Sequence, residues 1–140
     1  MTPQAEKDHS LYWALKTSAV GNIIDKAIYK EVDLEGRLEE ELLQEFAHCD
    51  LEAFSEKIKT AKRVLIIGDN AGETVFDRLF MQRLKPIPVW YAVRNQPVIN
   101  DATYEDAVMS GVHEDAEIIS TGCSAPGAVL RMCSQEFIER

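Results

Sequence analysis

At 140 residues, with 46% of them apolar, the chain has the size and composition of one globular domain. A formal net charge of −9 argues against a nucleic-acid partner, which needs excess Lys and Arg to neutralise phosphates, and against an anionic membrane surface. No segment approaches the roughly 18 consecutive apolar residues of a membrane span. Met1 to Ser10 lacks the apolar stretch of a secretory signal, so a cytoplasmic location is expected. The three cysteines, Cys49, Cys123 and Cys133, are odd in number and lack CxxC spacing. A disulfide framework or zinc site is therefore not expected, and the thiols are expected to be reduced.

The first sixty residues read as helical. Leu11, Leu15, Ala19, Ile23 and Ala27 recur every four positions, with Tyr12 and Ile24 widening the stripe. A second helix is expected from Leu34 to His48, with its glutamates facing water, and a third after Asp50, a suitable N-cap. At Arg63-Val64-Leu65-Ile66-Ile67-Gly68 the period changes to a continuous apolar run, which suits a strand buried on both faces of a parallel sheet. A helix carrying Val75, Leu79 and Leu84 follows. Pro88 to Val93 is then a second strand, Thr103 to Ser110 a helix with a capping-box pattern, and Glu117 to Ser120 a third strand. The turn Thr121 to Gly127 places Pro126 at a helix start, and a last helix is expected from Ala128 to Ile138.

Residues 1–60 thus form a helical segment and residues 61–140 an α/β core, together one domain. Strands alternating with helices imply a parallel sheet. Its strand-to-helix loops then gather at the carboxyl edge, where open α/β folds bind ligands. Those loops are Gly68 to Glu73, Arg94 to Asp101 and Thr121 to Ser124. Adjacent strands lie about 4.8 Å apart, so side chains from neighbouring ends can reach one ion. Carboxylate and carboxamide oxygens are hard ligands that suit a divalent cation such as Mg²⁺ or Mn²⁺. The helix after Glu73 would also turn its free N–H groups toward an anion.

Each of these residues has an ordinary alternative. Asp and Asn after a strand commonly form turns or cap helices. Arg94 can be a surface charge, Ser124 an N-cap, and Glu73 a complement to the helix dipole. His9, His48 and His113 lack metal-like spacing and read as surface residues, and Trp13 and Trp90 read as core. Gly68 to Glu73 lacks the GxGxxG spacing of a dinucleotide site.

Gly68-Asp69-Asn70-Ala71-Gly72-Glu73, followed by Pro97-Val98-Ile99-Asn100-Asp101-Ala102-Thr103 and then Asp106, resembles the DUF89 family of damage-control phosphatases (ARMT1-like), in particular its stand-alone archaeal and bacterial branch. Gly21-Asn22-Ile23-Ile24-Asp25, Ser120-Thr121-Gly122 and Ala125-Pro126-Gly127 add to the likeness. The resemblance implies a Rossmann-like, three-layer α/β fold with an N-terminal helical segment. It also implies metal-dependent hydrolysis of small phosphorylated metabolites, either sugar phosphates or damaged cofactor-related phosphates. Asp69, Asn70 and Asp101 would hold a divalent metal (Mn²⁺, Mg²⁺, Co²⁺ or Ni²⁺) and carry catalysis. Asn100, Glu73 and Arg94 would meet substrate.

Members of that family are about twice this long and carry a later Lys-Gly loop that holds phosphate. Asn95-Gln96 stands where Gly-Gly is common, Ser124 where Asp is frequent, and Ala128 where Thr is frequent. The alternative expectation is an incomplete, non-catalytic fragment. It would keep the metal site and associate with itself or a partner chain through unfinished sheet edges.

Overall fold

Three strands pair in parallel in the order β1-β2-β3: β1 (Val64–Ile67), β2 (Val89–Val93) and β3 (Glu117–Ser120). The computed structural model describes residues 3–28 and 34–140. Helices α1 (Pro3–Ile28), α2 (Leu34–Leu43) and α3 (Leu51–Ile58) precede the sheet. Helix α4 (Thr74–Leu84) joins β1 to β2, α5 (Tyr104–Met109) joins β2 to β3, and α6 (Gln135–Ile138) follows β3. The protein is thus α/β around a parallel sheet. No described helix is long and apolar enough to cross a membrane.

The register sets Ile66 beside Tyr91 and Tyr91 beside Ile118, so one sheet face carries Val64, Ile66, Val89, Tyr91, Val93 and Ile118. This face packs against Leu11 and Ala14 of α1, Phe80, Met81 and Leu84 of α4, and Ala107 of α5. Helical and strand segments therefore share one apolar cluster. The opposite face presents Leu65, Ile67, Trp90, Ala92 and Ile119, and among the described residues Ala92, Ile119 and Trp90 pack with Phe137 of α6 and Cys133.

Several expectations change here. Only the central strand β2 is enclosed from both sides; Leu65 and Ile67 of β1 are each 48% exposed. A continuous apolar run marks a strand, but it does not say what covers each face. The expected helix over 128–138 is instead a 3₁₀ turn, Leu130–Met132, followed by α6, whose N-cap Ser134 accepts a hydrogen bond from the Phe137 N–H. Ser134 therefore starts the helix, and Pro126 lies in a turn well before it. The second helix stops at Leu43, and Asp50 makes no side-chain cap bond. Trp13 is exposed rather than core, and its indole N–H donates to His9 Nε2. Trp90 is half-buried, with the Arg63 guanidinium 3.7 Å and the Arg140 guanidinium 5.0 Å from its ring centroid. The expected capping box is present: Thr103 accepts from the Asp106 N–H, and Asp106 accepts from the Thr103 N–H. His9, His48 and His113 are all exposed.

An ion-pair cluster ties α4 to the segment entering β3. Asp115 accepts from Arg78 Nε at 2.7 Å, and its other oxygen lies 2.6 Å from Lys85 Nζ. The Arg78 hydrogen bond, then that of Lys85, brings the Asp115 carboxyl down from 3.8 to about 2. A carboxyl depressed on folding adds stability above its unfolded value and loses it as pH falls through the folded value. The difference in urea midpoint between wild type and Asp115→Asn is therefore expected to be constant near neutrality and to shrink between pH 3.8 and about 2. A difference independent of pH across that window would refute this assignment.

Candidate functional site

The loops after β1 and β2 are joined by backbone, which places their polar residues together. Ala102 N–H donates to the Asp69 carbonyl at 2.7 Å, and Ala71 N–H to the Asn100 carbonyl at 2.8 Å. These bonds bracket an isolated antiparallel bridge between Asn70 and Asp101. Arg94 N–H donates to the Ala102 carbonyl at 3.0 Å, closing the second loop on itself. The third loop joins through Asn95 N–H to the Cys123 carbonyl at 3.2 Å, and through Gly127 N–H to Asp101 Oδ2 at 3.1 Å. Asp69, Asn70, Asn100 and Asp101 thus meet at the carboxyl edge of β1 and β2.

The capping alternative does not describe these side chains. Asn70 precedes a 3₁₀ turn, Ala71–Glu73, and Glu73 precedes α4, yet neither side chain makes a cap hydrogen bond. The cap of α5 is Thr103, not Asp101. Instead Asn70 donates through Nδ2 to Glu73 Oε1 at 2.8 Å, which turns its carboxamide oxygen away from Glu73. Asn70, Glu73 and Asp101 are buried and Asp69 is exposed. Burial pushes the Glu73 carboxyl above its ordinary value, the Asn70 hydrogen bond opposes this, and the Asp69 and Asp77 charges add to it.

Arg94 is no surface charge. It is 3% exposed, and its Nε donates to Asp101 Oδ2 at 2.8 Å. Its Nη1 is buried without a hydrogen-bond partner among the described residues. Unpartnered buried donors are rare, and such a group is suited to an anionic ligand. The turn leading to Asp101 is closed by Asp101 N–H to the Val98 carbonyl at 3.0 Å, with Ile99 at φ 53°. A β-branched residue in the left-handed region is strained, and such strain concentrates at functional turns.

A buried set behind the first loop escaped sequence reasoning. Asp77 accepts from Tyr91 Oη at 2.6 Å through Oδ2 and from the Ser18 hydroxyl through Oδ1, joining α4, β2 and α1. Burial raises the Asp77 carboxyl, the two hydrogen bonds oppose this, and Asp69 adds to the rise. The one sequence signal was an aspartate inside an otherwise apolar helix stripe. The Asn22 and Asp25 side chains of the first-helix motif lie outside the described residues.

Among the described residues, no three His, Cys, Asp or Glu side chains stand together as a metal site. The expected set differs in kind: two carboxylates and one carboxamide, all hard oxygen donors suited to Mg²⁺ or Mn²⁺. Arg94 and Gly127 both engage Oδ2 of Asp101, and neither uses Oδ1.

A family profile described as the damage-control phosphatase ARMT1-like domain matches residues 2–140. A protein named damage-control phosphatase from Pyrococcus horikoshii is 35% identical over 130 residues, covering 90% of this chain and 45% of the relative. A second, from Archaeoglobus fulgidus, is 33% identical over 124 residues, covering 84% and 42%. The crystal structure of a DUF89 family protein from Pyrococcus horikoshii superposes with a TM-score of 0.79 at 34% identity, covering 93% of this chain and 46% of that one. The chain therefore spans less than half the length of these relatives. With the loop motifs, the parallel sheet and a match along nearly its whole length, the chain belongs to the damage-control phosphatase ARMT1-like domain family.

Proposed function

We propose that this chain carries the metal-binding core of a phosphatase that hydrolyses small phosphorylated metabolites, such as sugar phosphates or damaged cofactor-related phosphates. The observation that carries the proposal is the Asn70–Asp101 bridge, which brings the two family motifs together through backbone alone. Asp69, Asn70 and Asp101 would hold one divalent cation: Mn²⁺, Mg²⁺, Co²⁺ or Ni²⁺. When bound, such an ion draws charge from a phosphate oxygen and orients the attacking group. Glu73 accepts from the Asn70 amide nitrogen, which would leave the amide oxygen to serve as the ligand atom. Arg94 positions Asp101 and offers its unpartnered Nη1 to a phosphate oxygen. Asn100, on the same turn as Asp101, would orient substrate.

The test has two stages. Titration calorimetry of the purified chain with Mn²⁺ is expected to show one site, which Asp69→Ala removes. Phosphate release from sugar phosphates is then expected with Mn²⁺, Co²⁺, Ni²⁺ or Mg²⁺ and not in excess chelator. Full-rate turnover in chelator would overturn the metal reading.

A second reading is favoured by the exposure of Leu65 and Ile67 on one sheet face. Under it, the chain binds the metal but turns over only when another copy or a partner chain covers that face. Metal binding without turnover, together with self-association in gel filtration, would select it.

A further inference from the structure

The third loop brings two thiols together. Ser134 N–H donates to the Thr121 carbonyl at 2.9 Å, and a Cβ on Gly122 would lie 2.6 Å from Ser134 Cβ. This close approach, permitted by Gly122 at φ 68°, sets the next residue, Cys123, against Cys133. The two thiols lie close enough for each to act on the ionisation of the other. Both also meet the backbone of the segment between them: Cys133 Sγ donates to the Val129 carbonyl at 3.4 Å and Cys123 Sγ to the Gly127 carbonyl at 3.5 Å, while Cys123 also bonds the backbone at Val129. Cys123 is fully buried and Cys133 is half-buried. Burial, then the neighbouring Cys123 thiol, pushes the Cys133 thiol up, while the Arg94 charge opposes this and also favours the thiolate at Cys123.

We propose that Cys123 and Cys133 form a redox-active dithiol that a small-molecule disulfide, such as oxidised glutathione, converts into an internal disulfide. The two sites differ in ways that order the steps. Cys133 is the more accessible, so its thiolate attacks the reagent first; the reagent S–S bond breaks and one glutathione thiolate leaves. Cys123 is held below the usual thiol range, first by its backbone hydrogen bond at Ala125, against the opposing effect of burial. Its thiolate then attacks the Cys133 sulfur and expels the second glutathione thiolate. The protein loses two protons and two electrons, and one glutathione disulfide becomes two thiols. The segment closed by the new bond contains Gly127, whose N–H donates to Asp101 Oδ2, so oxidation reaches the edge of the candidate metal site.

The test reads mass, not activity, and is independent of the phosphatase proposal. Exposed Cys49 is changed to Ser to silence it, and the folded chain is incubated with oxidised glutathione. The expected product has lost the mass of two hydrogens, contains a peptide pair linked through Cys123 and Cys133, and reverts with dithiothreitol. In Cys123→Ser the reaction is expected to stop at a single glutathione adduct on Cys133. Peptide mapping of the unmodified chain gives the same answer without any variant. Two glutathione adducts without a link, linkage of either thiol to Cys49, or both thiols remaining free would each overturn the proposal.

Discussion

Asp101→Ala is expected to abolish metal binding and to destabilise the chain by about 3–5 kcal/mol, because it leaves a buried guanidinium without its counter-charge. Arg94 is 3% exposed and pairs with Asp101 at 2.8 Å. Removing the carboxylate also orphans the Gly127 N–H, which loosens the third loop. Asp101→Asn separates the two roles. Its carboxamide oxygen can still accept from Gly127 and Arg94, so the urea midpoint should fall less than in the alanine variant. Metal affinity should still fall at least tenfold, since a charged ligand becomes neutral. Mn²⁺ binding to Asp101→Asn with unchanged affinity would remove Asp101 from the proposed ligand set. A stable Asp101→Ala variant would mean that the Arg94 pair matters little to the fold.

Gly68→Val is the second large effect expected. A Cβ at position 68 would lie 2.6 Å from Tyr91 Oη, 2.8 Å from Cζ and 2.9 Å from Cε1. Real Cβ atoms do not approach so closely, and the obstacle is a rigid ring that cannot swing aside. Tyr91 is fully buried and its hydroxyl is bonded to Asp77, so retreat would break a buried hydrogen bond. Overpacking of this kind costs about 1–3 kcal/mol, and the displacement falls directly on Asp69. Metal affinity should therefore fall together with stability. Gly68→Ala is expected to show a smaller version of both effects. Combined with Tyr91→Phe, which removes the nearest atom, it should destabilise less than the sum of the single changes. Strict additivity in that cycle would sink the steric account.

The three strands were legible because apolar, β-branched runs at Val64–Ile67, Val89–Val93 and Glu117–Ser120 are bounded by turn residues. The capping box at Thr103 was legible because its chemistry is local. The segment after Gly127 was not, since Pro126 resembles a helix start and only contacts with Thr121 and Phe137 reveal that Ser134 is the true one. The exposure of Trp13 was hidden for a similar reason: a helical stripe identifies a face, while its margin depends on which neighbours pack beside it.

The sequence by itself determined the alternation of strands and helices and the carboxyl-edge loops, because periodicity and turn chemistry act over a few neighbouring residues, while the resemblance of two loop motifs to a known family singled out Asp69, Asn70 and Asp101 as a candidate set. Tertiary structure alone decided that Arg94 is a buried partner of Asp101, that Asp77, Tyr91 and Ser18 form one network, and that Cys123 meets Cys133. Those pairings join residues on different elements, and only the register of the sheet and the packing of helices on it set which of them touch.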